Sequence, residues 1–258
     1  MSKHHRNWRG YWNDVDPLAS PHLDDAMKQV GKTQLGVPVG AEQIDMILQA
    51  IENALDLHEA DHVVDLGCGN GLVSERIAVK VASVLGLDAS PQLIEDAQRF
   101  RSTDTLKFAV GDFTDPQILS DWPGSLGVAN IWKWYSYEVI QHLTHSELRS
   151  FLATVVAKVR NHEQGKSPGL RLFLGSIPDQ AKIHAFYDTP QRWAHYERSL
   201  VEGVEQIGTW WEQDELRSLV EQAGFTFEVI PQERDLYTSH YRFHALLSLA
   251  EGDVLSHD

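Results

Sequence analysis

The sequence predicts one large α/β domain built on an open, mostly parallel sheet with helices on both faces. Two observations carry that expectation. From residue 60 onward, short apolar runs alternate with amphipathic stretches, the pattern of doubly covered strands joined by crossover helices. Glycines and acidic residues stand where the first three apolar runs stop. Sheets of this kind bind ligands at the carboxyl ends of their strands.

Taken in order, HVVDLG (62–67) reads as the first strand and LVSERIAVKV (72–81) as a helix that opens directly after GCGNG. SVLGLD (83–88) is the second strand, followed by SPQLIEDAQRF (90–100), where Ser90 suits an N-cap and Pro91 the first helical turn. TLKFAVGD (105–112) is the third strand and GVANIWKWYS (127–136) the fourth. HSELRSFLATVVAKVR (145–160) is an amphipathic helix, and GLRLFLGS (169–176) the fifth strand. EQDELRSLVEQAG (212–224) is a helix ended by Gly224, and FTFEVIP (225–231) and YRFHALLSL (241–249) form a closing strand pair.

Two stretches fall outside the alternation. Residues 1–58 form an N-terminal extension ending in helix-like AEQIDMILQAIENALDL, and residues 176–211 form an insertion after the fifth strand. Both suit a lid or a pocket wall. The chain thus divides into a helical extension (1–58), a binding core (59–175), a pocket insertion (176–211) and a closing helix with two strands (212–258), within a single domain.

Composition narrows the partners. A net charge of −15 over 258 residues argues against a nucleic-acid partner, since binding phosphates needs a basic face. The single cysteine, Cys68, fits a reducing compartment and no disulfide framework. MSKHHRNWRGYWNDVD has no apolar core for a signal peptide, and no apolar run approaches a membrane span of ~20 residues. The expectation is a soluble, cytoplasmic protein without a membrane partner, as a monomer or homodimer.

The most informative stretch is VVDLGCGNG. Ordering glycine is costly, so Gly67, Gly69 and Gly71 imply a backbone that needs them. Leu72 stands where a dinucleotide fingerprint would place its third glycine. Asp65 would repel a pyrophosphate at the loop, which disfavours a nicotinamide-dependent oxidoreductase. It suits a ligand with a cationic end. Asp88 in GLDAS can accept from two ribose hydroxyls. Asp112 in GDF can accept from an adenine amine, with Phe113 against the ring. Gly71 reads as a packing glycine, Cys68 as a small buried filler and Ser90 as a cap.

VVDLGCGNG, GLDAS and VGDF at these separations resemble the class I S-adenosylmethionine-dependent methyltransferases, over roughly residues 60–175. The resemblance implies that family's Rossmann-like fold, with a seven-stranded sheet and a C-terminal antiparallel strand pair. It implies S-adenosylmethionine as cofactor and S-adenosylhomocysteine as product. It places Asp65, Gly67 and Gly69 near the amino-acid part of the cofactor, Asp88 at its ribose, and Asp112 and Phe113 at its adenine. Cys68, Ala89, Trp12 and Trp134 complete the expected cofactor-facing set.

The acceptor is expected beside the fourth and fifth strands. EVIQHL resembles the segment after the fourth strand of many small-molecule methyltransferases, which makes His142 the first candidate for a general base, with His145 behind it. Glu138, Gln141 and His142 are similar to a metal-binding pattern in one branch of the family. Gln141 replaces a carboxylate there, so no metal is expected. SIPDQAKIHAFYDTP adds Asp179 and His184 as alternative catalytic residues. Tyr137, His145, Ser176 and Tyr187 are expected to contact substrate. SIPD followed by FY is similar to methyltransferases of polysaccharide and secondary-metabolite biosynthesis. NWRGYWND and QVGKTQLGVP, with Tyr11, Trp12 and Lys32, suit a lid whose aromatic faces meet the sulfonium. The reading is O-methylation of a small polar metabolite or a sugar or glycan precursor. The alternatives are an amine or carboxylate acceptor, or a non-catalytic cofactor-binding subunit.

Overall fold

A computed structural model describes residues 6–121, 131–160, 166–167, 169–250 and 252–253. Seven strands form the main sheet: β1 (His62–Leu66), β2 (Ser83–Asp88), β3 (Leu106–Val110), β4 (Lys133–Tyr137), β5 (Leu170–Pro178), β6 (Thr226–Ile230) and β7 (Arg242–Leu249). Their spatial order is β3-β2-β1-β4-β5-β7-β6. Pairing is parallel from β3 through β5, and β7 is antiparallel to both β5 and β6. Strand order reverses between β1 and β4, so their carboxyl ends open a crevice there.

The expected fourth strand begins later than its apolar run. β4 starts at Lys133, while residues 127–130 of that run lie outside the described residues. Two small antiparallel pairs, Thr33–Gln34 with Val37–Pro38 and Lys166–Ser167 with Gly252–Asp253, carry no strand signal in the sequence.

The helices are α1 (Trp8–Asn13), α2 (Leu23–Gln29), α3 (Ala41–Leu55), α4 (Leu72–Ala78), α5 (Pro91–Arg101), α6 (Pro116–Asp121), α7 (His145–Arg160), α8 (Ile183–Phe186), α9 (Pro190–Glu202) and α10 (Gln213–Gln222). Strand period two divides the core. Val64, Leu66 and Trp134 face one layer with Phe151 and Val155 of α7 and Leu219 of α10. Val63, Tyr135 and Tyr137 face the other, with Ile44, Ile47 and Ile51 of α3 and Ile94 of α5. This parity corrects the expectation for Trp134. It is buried in the α7 layer, its Nε1 donates to the carbonyl of Ile131 at 2.8 Å, and it does not line the cavity described below.

Local signals place the helix starts. Ser90 Oγ accepts from the amide of Leu93 at 3.2 Å, with Pro91 opening α5. Thr189 Oγ1 accepts from the amide of Arg192 at 3.2 Å, with Pro190 opening α9. Gly71 precedes α4 at φ +76°, and a Cβ there would lie 2.6 Å from Phe108 Cζ, so it serves helix–strand packing. Gly71→Ala combines a left-handed backbone with a clash against a buried ring. It should destabilise the fold by about 1–3 kcal/mol, read as a lower urea midpoint with an unchanged slope.

Candidate functional site

The glycine turn after β1 is folded onto the end of β2. Gly67 and Gly69 have φ of +76° and +56°. The amides of Gly67 and Cys68 both donate to the carbonyl of Leu87, at 2.7 and 3.1 Å. The amide of Gly69 donates to Asp88 Oδ2 and that of Ser90 to Asp88 Oδ1, each at 2.8 Å. Asp88 is thereby fixed by two backbone N–H groups, with its remaining lone pairs free for a hydroxyl pair. Burial raises its pKa against those bonds. A Cβ at Gly67 would lie 2.5 Å from Val139 Cγ2, so no other residue fits this cradle.

Asp65 sits beneath the turn. Its Oδ2 accepts from Ser74 Oγ at 2.6 Å and Tyr135 Oη at 2.7 Å. Burial pushes its pKa up to about 7, against the pull of those two bonds. Asp112, after β3, accepts from the amide and hydroxyl of Thr114 at 2.9 and 2.6 Å and from Arg9 Nε at 2.5 Å. Burial works to raise its pKa, but the bonds from Thr114 and Arg9 prevail and lower it.

Asp65, Asp88 and Asp112 line one cavity of about 280 Å³. Cys68, Ala89 and Phe113 line it too, as do Trp12, Tyr137 and His142. Helix α1 forms its roof. Arg9 reaches Asp112 and Glu147, Ser90 Oγ donates to the carbonyl of Trp12 at 2.7 Å, and the Trp8 ring lies 4.2 Å from that of His142. His142 is half-buried beside Trp8 and Trp12, and its Nδ1, itself buried, has no hydrogen-bond partner among the described residues. Burial, helped by Arg242, lowers its pKa to about 3.

At the end of β4, Glu138 adopts φ +61°. Its carboxylate accepts from Lys32 Nζ at 2.7 Å, Tyr237 Oη at 3.1 Å and Ser176 Oγ at 3.3 Å. Burial opposes its ionisation, yet Lys32 and Arg242 bring the pKa to about 2. Gln141 Oε1 accepts from Arg242 Nη1 at 3.3 Å. The Glu138–Gln141 pair is therefore occupied by cationic side chains, an arrangement that does not fit a metal ion.

Five expected residues stand elsewhere. Asp179 caps the turn after β5, accepting from the amide of Ala181 and from Gln213 Nε2 at 3.1 and 3.0 Å. His184 is exposed and its ring lies 4.3 Å from that of Trp193. Tyr187 donates to Glu205 at 2.9 Å inside an aromatic cluster of the insertion. His145 opens α7 with its ring 4.5 Å from that of Trp211, and pairs with Glu215. Ser176, fully buried at φ +59°, stands behind Glu138 rather than in the cavity wall. The insertion instead reaches the cavity through Thr209, whose amide donates to the carbonyl of Gln141 at 2.7 Å. Sequence reasoning misses Trp8 and Arg9 as individual residues. It reaches Glu138 only as part of a broken metal pattern.

A carboxyl whose folded pKa lies above its unfolded value stabilises most below the unfolded value and progressively less as pH rises to the folded one. Asp65 should therefore cost stability between about pH 4 and pH 7. Relative to the parent, Asp65→Asn should gain on the order of 2 kcal/mol between pH 5 and pH 8. Urea midpoints at the two pH values check this, and parallel curves would refute it.

Residues 63–162 match the family model described as methyltransferase domain. A stretch of 84 residues is 34% identical to an uncharacterized RNA methyltransferase of Streptococcus pyogenes, covering 31% of this chain and 18% of that protein. A stretch of 120 residues is 32% identical to the mitochondrial ubiquinone biosynthesis O-methyltransferase of Schizosaccharomyces pombe, covering 45% of this chain and 37% of that one. The chain therefore spans well under half the length of these relatives. Among solved structures, a SAM-dependent methyltransferase from Anabaena variabilis superposes with a TM-score of 0.58 at 14% identity, covering 98% of both chains. Magnesium protoporphyrin IX methyltransferase from Synechocystis, with bound SAM, gives 0.55 at 15% identity over 94% of this chain and 95% of that one. Residues 63–162 thus match a methyltransferase domain in sequence, and the chain as a whole shares the fold of these solved methyltransferases.

Proposed function

We propose that this chain catalyses S-adenosylmethionine-dependent O-methylation of a small molecule held in the cavity beneath α1. One observation carries the reading. Carboxylates at the ends of β1, β2 and β3 face the same cavity as the His142 turn after β4. Cofactor and acceptor can therefore meet at the strand-order reversal. The bound cofactor supplies a methyl group already activated on a sulfonium.

The residues divide the work. Asp88 takes the ribose hydroxyls, Asp112 and Phe113 take the adenine, and Asp65 with the glycine turn takes the amino-acid end. Trp8, Trp12 and the roof helix exclude water from the reacting atoms, and alignment there supplies most of the rate. His142 borders the acceptor as a neutral imidazole, because burial keeps it unprotonated across the physiological range. The O-methyltransferase relative supports an oxygen acceptor. The RNA methyltransferase relatives share only a short stretch of the core, and a net charge of −15 opposes an RNA surface.

Calorimetry should show binding of S-adenosylmethionine and S-adenosylhomocysteine but not of NAD. Asp88→Ala should weaken both by about 1–3 kcal/mol through lost charge-assisted bonds. NAD binding without a response to either sulfur compound would refute the reading.

The pH–rate profile should show no inflection from His142 between pH 5 and pH 8, and EDTA should leave turnover unchanged. A histidine inflection in that range that disappears in His142→Gln would instead make His142 a base titrating near neutrality. Turnover lost to EDTA and recovered with magnesium would show a metal requirement.

A further inference from the structure

Building on the methyltransferase reading, the polar groups around the cavity select the acceptor. Each of its five carboxylates already has donors. Asp65 is held by Ser74 and Tyr135, Asp88 by two backbone amides, and Asp112 by Arg9 and Thr114. Glu138 is held by Lys32, Tyr237 and Ser176, and Glu147 by Arg9 and Thr144. His142 Nδ1 has no hydrogen-bond partner among the described residues, so no carboxylate orients the ring, which stands beside Trp8 and Trp12. An aliphatic hydroxyl needs a strong, positioned base to become a nucleophile. The cavity wall offers none.

The same wall offers two other things. Trp8, Trp12 and Tyr137 present flat apolar rings. Three cations reach the lining, of which Arg9 is held by Asp112 and Glu147. Lys32 Nζ, buried 4.9 Å from the centre of the Tyr137 ring, spends one N–H on Glu138 and keeps others. Arg6 lies 4.0 Å over Tyr11 and 5.2 Å over Trp8, with no carboxylate partner among the described residues. Five carboxylates share the lining, so it is the end of the cavity with Lys32 and Arg6, beside the Tyr137 and Trp8 rings, that favours the charge of an anionic ring compound.

We propose that the acceptor is a planar ring compound bearing a phenolic or enolic oxygen, bound as its anion with the charge toward Lys32 and Arg6. The acceptor proton leaves to solvent before transfer, so the protein needs no strong base. The oxygen then forms its bond to the methyl carbon as the sulfur–carbon bond breaks, and the bonding pair stays on sulfur as a neutral thioether. This replaces the sugar hydroxyl of the sequence reading with an oxygen that ionises near the range of a tyrosine or below it, at a pKa of ~10 or less.

The test is calorimetric titration of the protein saturated with S-adenosylhomocysteine. The probe is 4-nitrophenol, titrated one pH unit below and one above its own pKa, with methyl α-glucopyranoside as the aliphatic comparator. Affinity for the nitrophenol should rise roughly tenfold with its ionised fraction, and the glucoside should not bind. Arg6→Gln at the cavity mouth should remove much of that rise. Lys32→Gln should remove it where the variant folds, and Lys32→Arg should restore it. Transfer of labelled methyl to phenols of different acidity should show an inflection that moves with the acceptor pKa. An affinity indifferent to ionisation, binding or methylation of the glucoside in preference to the phenols, or an inflection fixed across acceptors would each overturn the assignment. Failure to bind S-adenosylhomocysteine would instead overturn the methyltransferase reading beneath it.

Discussion

The bonds between the glycine turn and the end of β2 are the constraint on which the site depends. Two amides of the turn converge on one carbonyl, Leu87, and a third holds the Asp88 carboxylate. That geometry requires positive φ at Gly67 and Gly69, which side chains resist. It also lets Val139, in the segment after β4, press against Gly67. The carboxyl ends of β2, β1 and β4 are thus locked together across the strand-order reversal. A substitution at Gly67 would disturb the Asp88 carboxylate and the His142 turn together.

The sequence made the sheet and the cofactor half of the site legible because both depend on local signals. Strand periodicity, the Ser90–Pro91 cap and acids placed at strand ends all lie within a few residues of what they determine. Parity along a strand is equally local, and it could have assigned Trp134 to the core, opposite Tyr135 and Tyr137. The acceptor half depends on contacts between distant segments. Arg9 meets Asp112 and Glu147 across 103 and 138 residues, and Lys32 meets Glu138 across 106. Nothing near Arg9 in the sequence announces those partners. Asp179 and His184 misled for a related reason. They follow β5 directly, but the chain turns there into a capped helical segment, and the insertion returns to the cavity only at Thr209.

Buried charge explains why the acceptor wall is rigid. Ionising Glu138 away from water is expensive, and leaving it unpaired costs several kcal/mol more. Lys32, Tyr237 and Ser176 together meet that cost, while Arg242 joins Gln141 to the carbonyl of Ser176. Glu138 and Ser176 both sit in left-handed conformations at adjacent strand ends. Such strain costs on the order of 1–3 kcal/mol each and persists where surrounding bonds over-determine it. The wall is therefore preorganised, which suits a reaction dominated by alignment.

The roof is held differently. The Arg9 ion pairs are half-exposed, with 52% of the Arg9 side chain accessible, and pairs of that kind contribute about 0–1 kcal/mol. A helix of six residues has little stability of its own. What holds α1 down is chiefly Trp8, 9% exposed against His142, whose burial is worth about 2–3 kcal/mol. Closure of that strength leaves the open form at roughly 0.5–3% of molecules. The roof can then lift to admit cofactor and acceptor without unfolding the sheet. A ligand that fills the space beneath Trp8 and meets Asp112 would shift the balance toward closure by as much as it prefers the closed form. In the function proposed, the rigid wall fixes the geometry of transfer, while the weakly held roof controls entry and excludes water once it closes.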